Sequence, residues 1–188
     1  MKKWLVALVA SAVLIGAAAG GAYGYVAPTE KLNLSYREVP LEARALDMAR
    51  RLSTSLILSE EDVGNLAKRQ LALHPDYGSG IEIVGARFRL SSDVLVADVN
   101  AKWRHRVPVG LTLTYRLTWA NPNLIARVVE ARVKDVRLPT GWFGDEIIPL
   151  GDGLPRPLQI EDVRLENGQA VVQFRKPSLS DLRSLLNE

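Results

Sequence analysis

The strongest hydropathy feature of the chain comes at its start. Trp4 to Val26 is a run of 23 residues without a charge. As a helix it would span about 34 Å, enough for a hydrocarbon core of about 30 Å. Lys2 and Lys3 precede it, so the positive-inside rule predicts a cytoplasmic N-terminus and an extracytoplasmic remainder, held at the cell membrane by a single-pass anchor. Tyr23 and Tyr25 stand where interfacial aromatics belong, and Pro28 ends the helix. A cleaved leader is the alternative, with Trp4 to Ile15 as its apolar region and Ala17, Ala18 and Ala19 as small residues near a cleavage site. Both readings export the rest of the chain. Gly16, Gly20 and Gly24 recur every four residues and would let a partner transmembrane helix approach closely, although small residues also simply fill the tails of export segments.

After the leading segment (residues 1–26), residues 27–39 read as a short polar linker with no strong period, and residues 40–188 as one extracytoplasmic domain. Leu41, Ala45, Met48, Leu52 and Leu56 recur at spacings of three and four, predicting a helix that Pro40 opens. Ser59 is placed to cap a second helix, with Glu60, Glu61 and Asp62 in its first turn. Val63, Leu66, Ala67 and Leu71 give it an apolar face, and His74-Pro75 stops it.

From Ile81 the period changes to two. Val84, Ala86, Phe88 and Leu90 alternate with small or basic residues. Leu95 to Trp103 and Val109 to Trp119 alternate in the same way. A fourth run, Leu124 to Leu138, carries Ile125, Val129, Ala131 and Val133 on one face. Short polar turns between these runs predict a meander of unusually long antiparallel strands. Leu138 to Pro157 breaks the pattern around Trp142-Phe143, and Asn167-Gly168 then predicts a closing hairpin. Ser178 or Ser180 would cap a last short helix through Leu182, Leu185 and Leu186. The expected fold is α+β: two helices on a long, twisted antiparallel meander sheet of five to seven strands.

Charge narrows the function classes. The net charge of +3 shrinks once Lys2 and Lys3 are set aside, leaving 22 basic against 21 acidic residues. That balance offers no footprint for nucleic acid. The chain has no Cys and two His, His74 and His105, without a metal-binding spacing, so no metal site and no cofactor is expected. Ser79 lies in Gly78-Ser79-Gly80 rather than in a nucleophile elbow. Asp145-Glu146 is a carboxylate pair without a partner motif. No nucleophile–base arrangement is visible, so the domain reads as non-enzymatic.

Binding is what remains. Trp103, Leu113, Tyr115 and Trp119 share the parity of the apolar strand faces, and Leu66 faces them from the second helix. They form either core packing or the lining of an elongated groove for a lipid-like ligand. Trp142 and Phe143, in a Gly-flanked loop, either dip into a membrane or partner or plug the end of the sheet.

The order of a basic end, one anchor, the helix LSEEDVGNLAKRQL (Leu58 to Leu71), a long meander, LPTGWF (Leu138 to Phe143) and a final hairpin resembles the YpmS family. These are small single-anchor proteins of Gram-positive bacteria. Asn65 stands where that family places an Asn within the apolar helix. The resemblance implies a half-barrel of the lipid-binding kind, in which a helix is wrapped by a curved antiparallel sheet. It also implies a lipid or cell-envelope polymer as ligand, and transfers no residue of assigned role. The other reading is a scaffold that binds no ligand and pairs with another membrane protein.

Overall fold

A computed structural model describes residues 21, 23–51, 53–76, 80–150 and 158–176. Most of Trp4 to Val26, including Gly16 and Gly20, and the expected helix after Ser178 lie outside the described residues. Among the described residues, no helix is long and apolar enough to cross a membrane.

The fold is α+β, with a long antiparallel sheet and a few helices. Helix α1 (Leu41–Arg50) buries Ala45 and Met48 along the predicted stripe. It stops earlier than the periodicity suggests. The Ser53 hydroxyl engages the backbone of Ser55, a local bond that competes with helix continuation. Leu56 therefore sits not on a helix but in strand β1 (Ser55–Ser59). Helix α2 (Glu60–Leu73) begins where Ser59 predicts, through a capping box: Asp62 N–H donates to Ser59 Oγ at 3.2 Å, and Ser59 N–H to Asp62 Oδ2 at 3.0 Å. No residue of α2 is fully buried, so it flanks the sheet rather than being enclosed by it.

The meander is β2 (Ile81–Ser91), β3 (Val94–Trp103), β4 (Val107–Ala120) and β5 (Asn123–Val133). These lengths match the long strands expected. The fourth run is shorter than its pattern, because Lys134, at φ 49°, turns the chain into β6 (Val136–Leu138), which pairs back onto β5. After a single 3-10 turn (Thr140–Trp142), β7 (Glu146–Pro149) pairs with the other half of β5. This makes a sheet of six strands. The closing hairpin, β8 (Ile160–Glu166) and β9 (Gln169–Phe174), turns at Asn167 and Gly168, both at positive φ. It does not join the large sheet. It takes β1 as a third strand and forms a second sheet, in the order β1-β9-β8.

Two β-bulges correct the predicted faces. In β2 the register shifts between Ile83 and Gly85, so Ile83, not Val84, joins Ala86, Phe88 and Leu90 on the apolar face. In β5 it shifts beside Val128, and the buried set is Leu124, Ala126, Val128, Ala131 and Val133. Ile125 faces the polar side, and Val129 is exposed. One extra residue inverts the parity on one side of a bulge, which strict alternation cannot register.

Apolar residues gather in two clusters. One joins the second sheet (Leu58, Val163, Val172, Phe174) to Met48, Leu66, Leu117, Trp119 and Leu124. The other lies along the large sheet (Ile83, Val99, Leu113, Val128), under Leu71, Leu138 and Phe143.

Asp62 ties the two helices together, because Arg44 Nη1 of α1 also donates to its Oδ2, at 2.8 Å. That donor, with the Ser59 groups, holds the Asp62 carboxyl below its ordinary pKa. Its stabilisation is therefore complete above the unfolded pKa of about 4 and lost as pH falls through the lower folded value. Asp62→Asn should cost about 1 kcal/mol near neutral pH, and the deficit should shrink in acid. Thermal midpoints of the two proteins across the acid range test this; a gap that widens below about pH 4 contradicts it.

Candidate functional site

Residues 27–39 are not a loose linker. They lie as an extended strap across the polar face of the sheet. Gly85, Asn100 and Gly110 are directly paired neighbours on β2, β3 and β4, and so form a row across that face. The strap runs along this row. A Cβ at Gly110 would come within 2.9 Å of Pro28 Cα. Asn100 Nδ2 donates to Glu30 O at 2.7 Å. A Cβ at Gly85 would collide with Leu32 O, and would lie 2.8 Å from Asn33 N. The row has no bulky side chain because the strap's backbone fills that space. Asn100 is a buried polar residue of the sheet, and its side-chain amide donates to the strap carbonyl.

The strap then rounds the free edge of β2, where Ala86 N–H donates to Asn33 O at 3.2 Å. Leu34 reaches the apolar cluster on the other side. Arg37 N–H donates to Asn65 Oδ1 of α2 at 3.0 Å. Asn65, flanked on its helix face by Glu61, Asp62, Lys68 and Arg69, thus receives the strap's end. Arg87 adds a bridge between Glu30 of the strap and Asp98 of β3.

This path fixes where the leading segment meets the domain. Residues 23–26 are helical, and Lys134 Nζ donates to Gly24 O at 3.3 Å while lying 5.1 Å from the Tyr25 ring centre. Lys134 is in the β5–β6 turn, at the same end of the sheet as the β3–β4 turn. We call this end proximal. The opposite, distal end carries the turns at Ser91–Asp93 and Asn167–Gly168.

No protein-family model, curated protein or solved structure matches the chain.

The predicted groove residues are not brought into one site. Leu66 and Trp119 belong to the cluster beneath the second sheet. Leu113 and Tyr115 belong to the cluster along the large sheet. Trp103 is 48% exposed at the proximal end, with Arg104 stacked 5.0 Å from its ring centre. Trp142 and Phe143 also part company: Phe143 packs inward, whereas Trp142 is 71% exposed on the lateral edge beside β5. Gly24, the one described member of the glycine stripe, has open space around its Cα.

The apolar face is closed unevenly. Its distal half is covered by the second sheet and the helices, and Leu71 near the end of α2 continues that cover along β2 to the cluster of Ile83. At the proximal end β4 overshoots β5: its pairing with β5 starts at Thr112, leaving Val107 to Leu111 without a partner on that side. There Ile81, Val107 and Val109 are only half-buried, in rows with Trp103 and Ala101. Tyr115 faces the same side but towards the distal end, opposite Leu95, its phenol pushed up to about 12 by burial and by the nearby Glu146 carboxylate. It stays neutral at any physiological pH and can both donate and accept a hydrogen bond.

An open depression lies elsewhere, between the distal turns, lined by Leu90 to Asp93 and Leu165 to Gly168. It is the gap between two polar hairpin tips and carries no converging chemistry. Among the described residues, no three His, Asp or Glu side chains are placed to hold a metal ion.

Sequence patterns did not expose the strap, although glycines inside two strands and an Asn among β-branched residues are the signals of close backbone approach. Gly85→Ala should displace the strap and destabilise the protein by about 1–3 kcal/mol. Limited proteolysis of the full chain should then cut within residues 27–39 faster than in the parent. An unchanged cleavage rate would show that the strap is not held there.

Proposed function

We propose that this chain is a non-enzymatic, membrane-tethered extracytoplasmic domain that holds a lipid-like molecule at the proximal end of its sheet. The observation that carries this reading is the half-open apolar shelf of Ile81, Trp103, Val107 and Val109, at the end where the 23-residue uncharged segment reaches the domain. A shelf of that kind suits an acyl chain drawn from an adjacent bilayer. The resemblance to the YpmS family and its implied half-barrel agree with this ligand class.

The test is lipid extraction from the purified full chain, followed by mass spectrometry, beside a Val109→Trp variant that fills the shelf. A lipid recovered in stoichiometric amount from the parent, and reduced about tenfold or more in the variant, is the expected result; a factor of ten corresponds to about 1.4 kcal/mol. Equal recovery from both proteins would remove the shelf as the site.

A second reading, an interaction scaffold, draws on the lateral edge, where Trp142 and Ile147 are 71% and 64% exposed. Large exposed apolar residues on elements along one edge suit a protein partner. In that case Trp142→Ala should abolish a crosslinked complex in membranes while leaving lipid recovery unchanged. A complex that persists in the variant rules this edge out.

A further inference from the structure

We infer that the proximal end of the sheet is a docking face for an anionic membrane surface, holding the domain upright on the bilayer; this rests on the tethered reading above. The β3–β4 turn presents Trp103, Arg104, His105 and Arg106, all exposed. Arg104 and His105 take positive φ, 51° and 56°, in a tight turn that projects these side chains beyond the strand ends. The neighbouring β5–β6 turn presents Lys134, which also holds Gly24 O and the Tyr25 ring, beside the acidic Asp135. Among the described residues, no ion pair engages Arg104, Arg106 or Lys134. The nearby Glu82 is occupied by Lys102 and His105, at 3.8 and 3.5 Å.

The distal end has the opposite character. Glu60 and Glu61 open α2, Asp93 and Glu166 sit at the hairpin turns, and the tips are otherwise Ser, Asn and Gly. The domain is therefore polarised along its strands although its net charge is small. The exposed Trp103 and, among the described residues, the unpaired Arg104 and Arg106 stand at the proximal end, whereas the distal Arg116 is paired with Asp93. The proximal end is the one that receives residues 23–28, so the face that would meet phospholipid headgroups is the face chemically suited to them. An exposed Trp stacked with Arg places an amphipathic ring and a cation at one height, as interfacial anchors do. Each Arg or Lys close to an anionic surface strengthens attachment about fivefold, and the effect fades within a Debye length.

The absence of Cys from the chain permits clean single-site labelling. The full chain would carry a fluorophore at Val136→Cys (proximal, exposed) or at Ser91→Cys (distal, exposed). It would be reconstituted into vesicles of phosphatidylcholine alone or mixed with phosphatidylglycerol, each with a headgroup-attached quencher. Co-flotation with the vesicles is read first. The expected result is strong quenching at position 136 and weak quenching at 91, in the anionic vesicles above all. Raising salt to about 1 M, where screening acts within about 3 Å, should lower the signal at position 136 towards that at 91. So should Arg104→Gln with Arg106→Gln, a surface change in an exposed turn. Co-flotation with equal quenching at both positions, or with no dependence on lipid charge, overturns the docking face and leaves the tether standing. A chain that does not co-float overturns both.

Discussion

Everything above the local level in this protein depends on one contact, the backbone of residues 27–39 laid against the Gly85–Asn100–Gly110 row. A sheet face normally excludes a crossing chain because side chains stand on it. Here two strands surrender a side chain and a third offers an amide. The cost is real, because Gly inside a strand forfeits both packing and propensity. What offsets it is the strap's own burial and the hydrogen bond from Asn100, together with the Glu30–Arg87–Asp98 bridge. The strap also caps part of the β2 edge, where unpaired backbone groups would otherwise invite another strand.

The bulge beside Val84 belongs to the same arrangement. It brings Gly85 opposite Asn100 and so completes the row that the strap needs. It also moves Ile83 into the core in place of Val84. One inserted residue therefore serves two faces at once: a clear track on one, a restored apolar surface on the other. Arg37 and Asn65 then fasten the strap's far end to α2, whose start is itself joined to α1 through Asp62. Strap, sheet and both helices form one connected structure.

The sequence was legible where a single local rule governs. Ser59 and Asp62 set the start of α2, Asn167-Gly168 set the last hairpin, and alternation set β3 and β4. It failed where a distant partner decides. Leu56 carries a helical spacing, yet β9 claims it as a strand residue. Val129 alternates correctly with Val133, but a bulge places them on different sides. The strap has no periodicity because it is neither helix nor ladder strand. Its signature lies in the residues it touches, as with Asn100 and Glu30, 70 positions apart in the chain. Of the candidate groove, Leu113 and Tyr115 do share a cluster. Strand parity cannot reveal that the second sheet covers only half of their face, so Trp103 and Trp119, alike in pattern, end in opposite environments.

The strap bears directly on the proposed function. A free polar linker of about 13 residues would behave as a coil with an end-to-end distance of about 20 Å, leaving the domain to sample all orientations. A strap bonded along its length removes that freedom. Gly24 and Tyr25 are held by Lys134, and Pro28 is already on the sheet. A helix leading into this point would thus deliver the domain with its proximal end first. Orientation matters most for a site that exchanges molecules with a bilayer, because an acyl chain can slide onto an apolar shelf at the surface but must cross water to reach one pointing away. A scaffold for a lateral protein partner needs no such restraint. The geometry of the strap therefore argues for the lipid reading on grounds independent of the shelf itself.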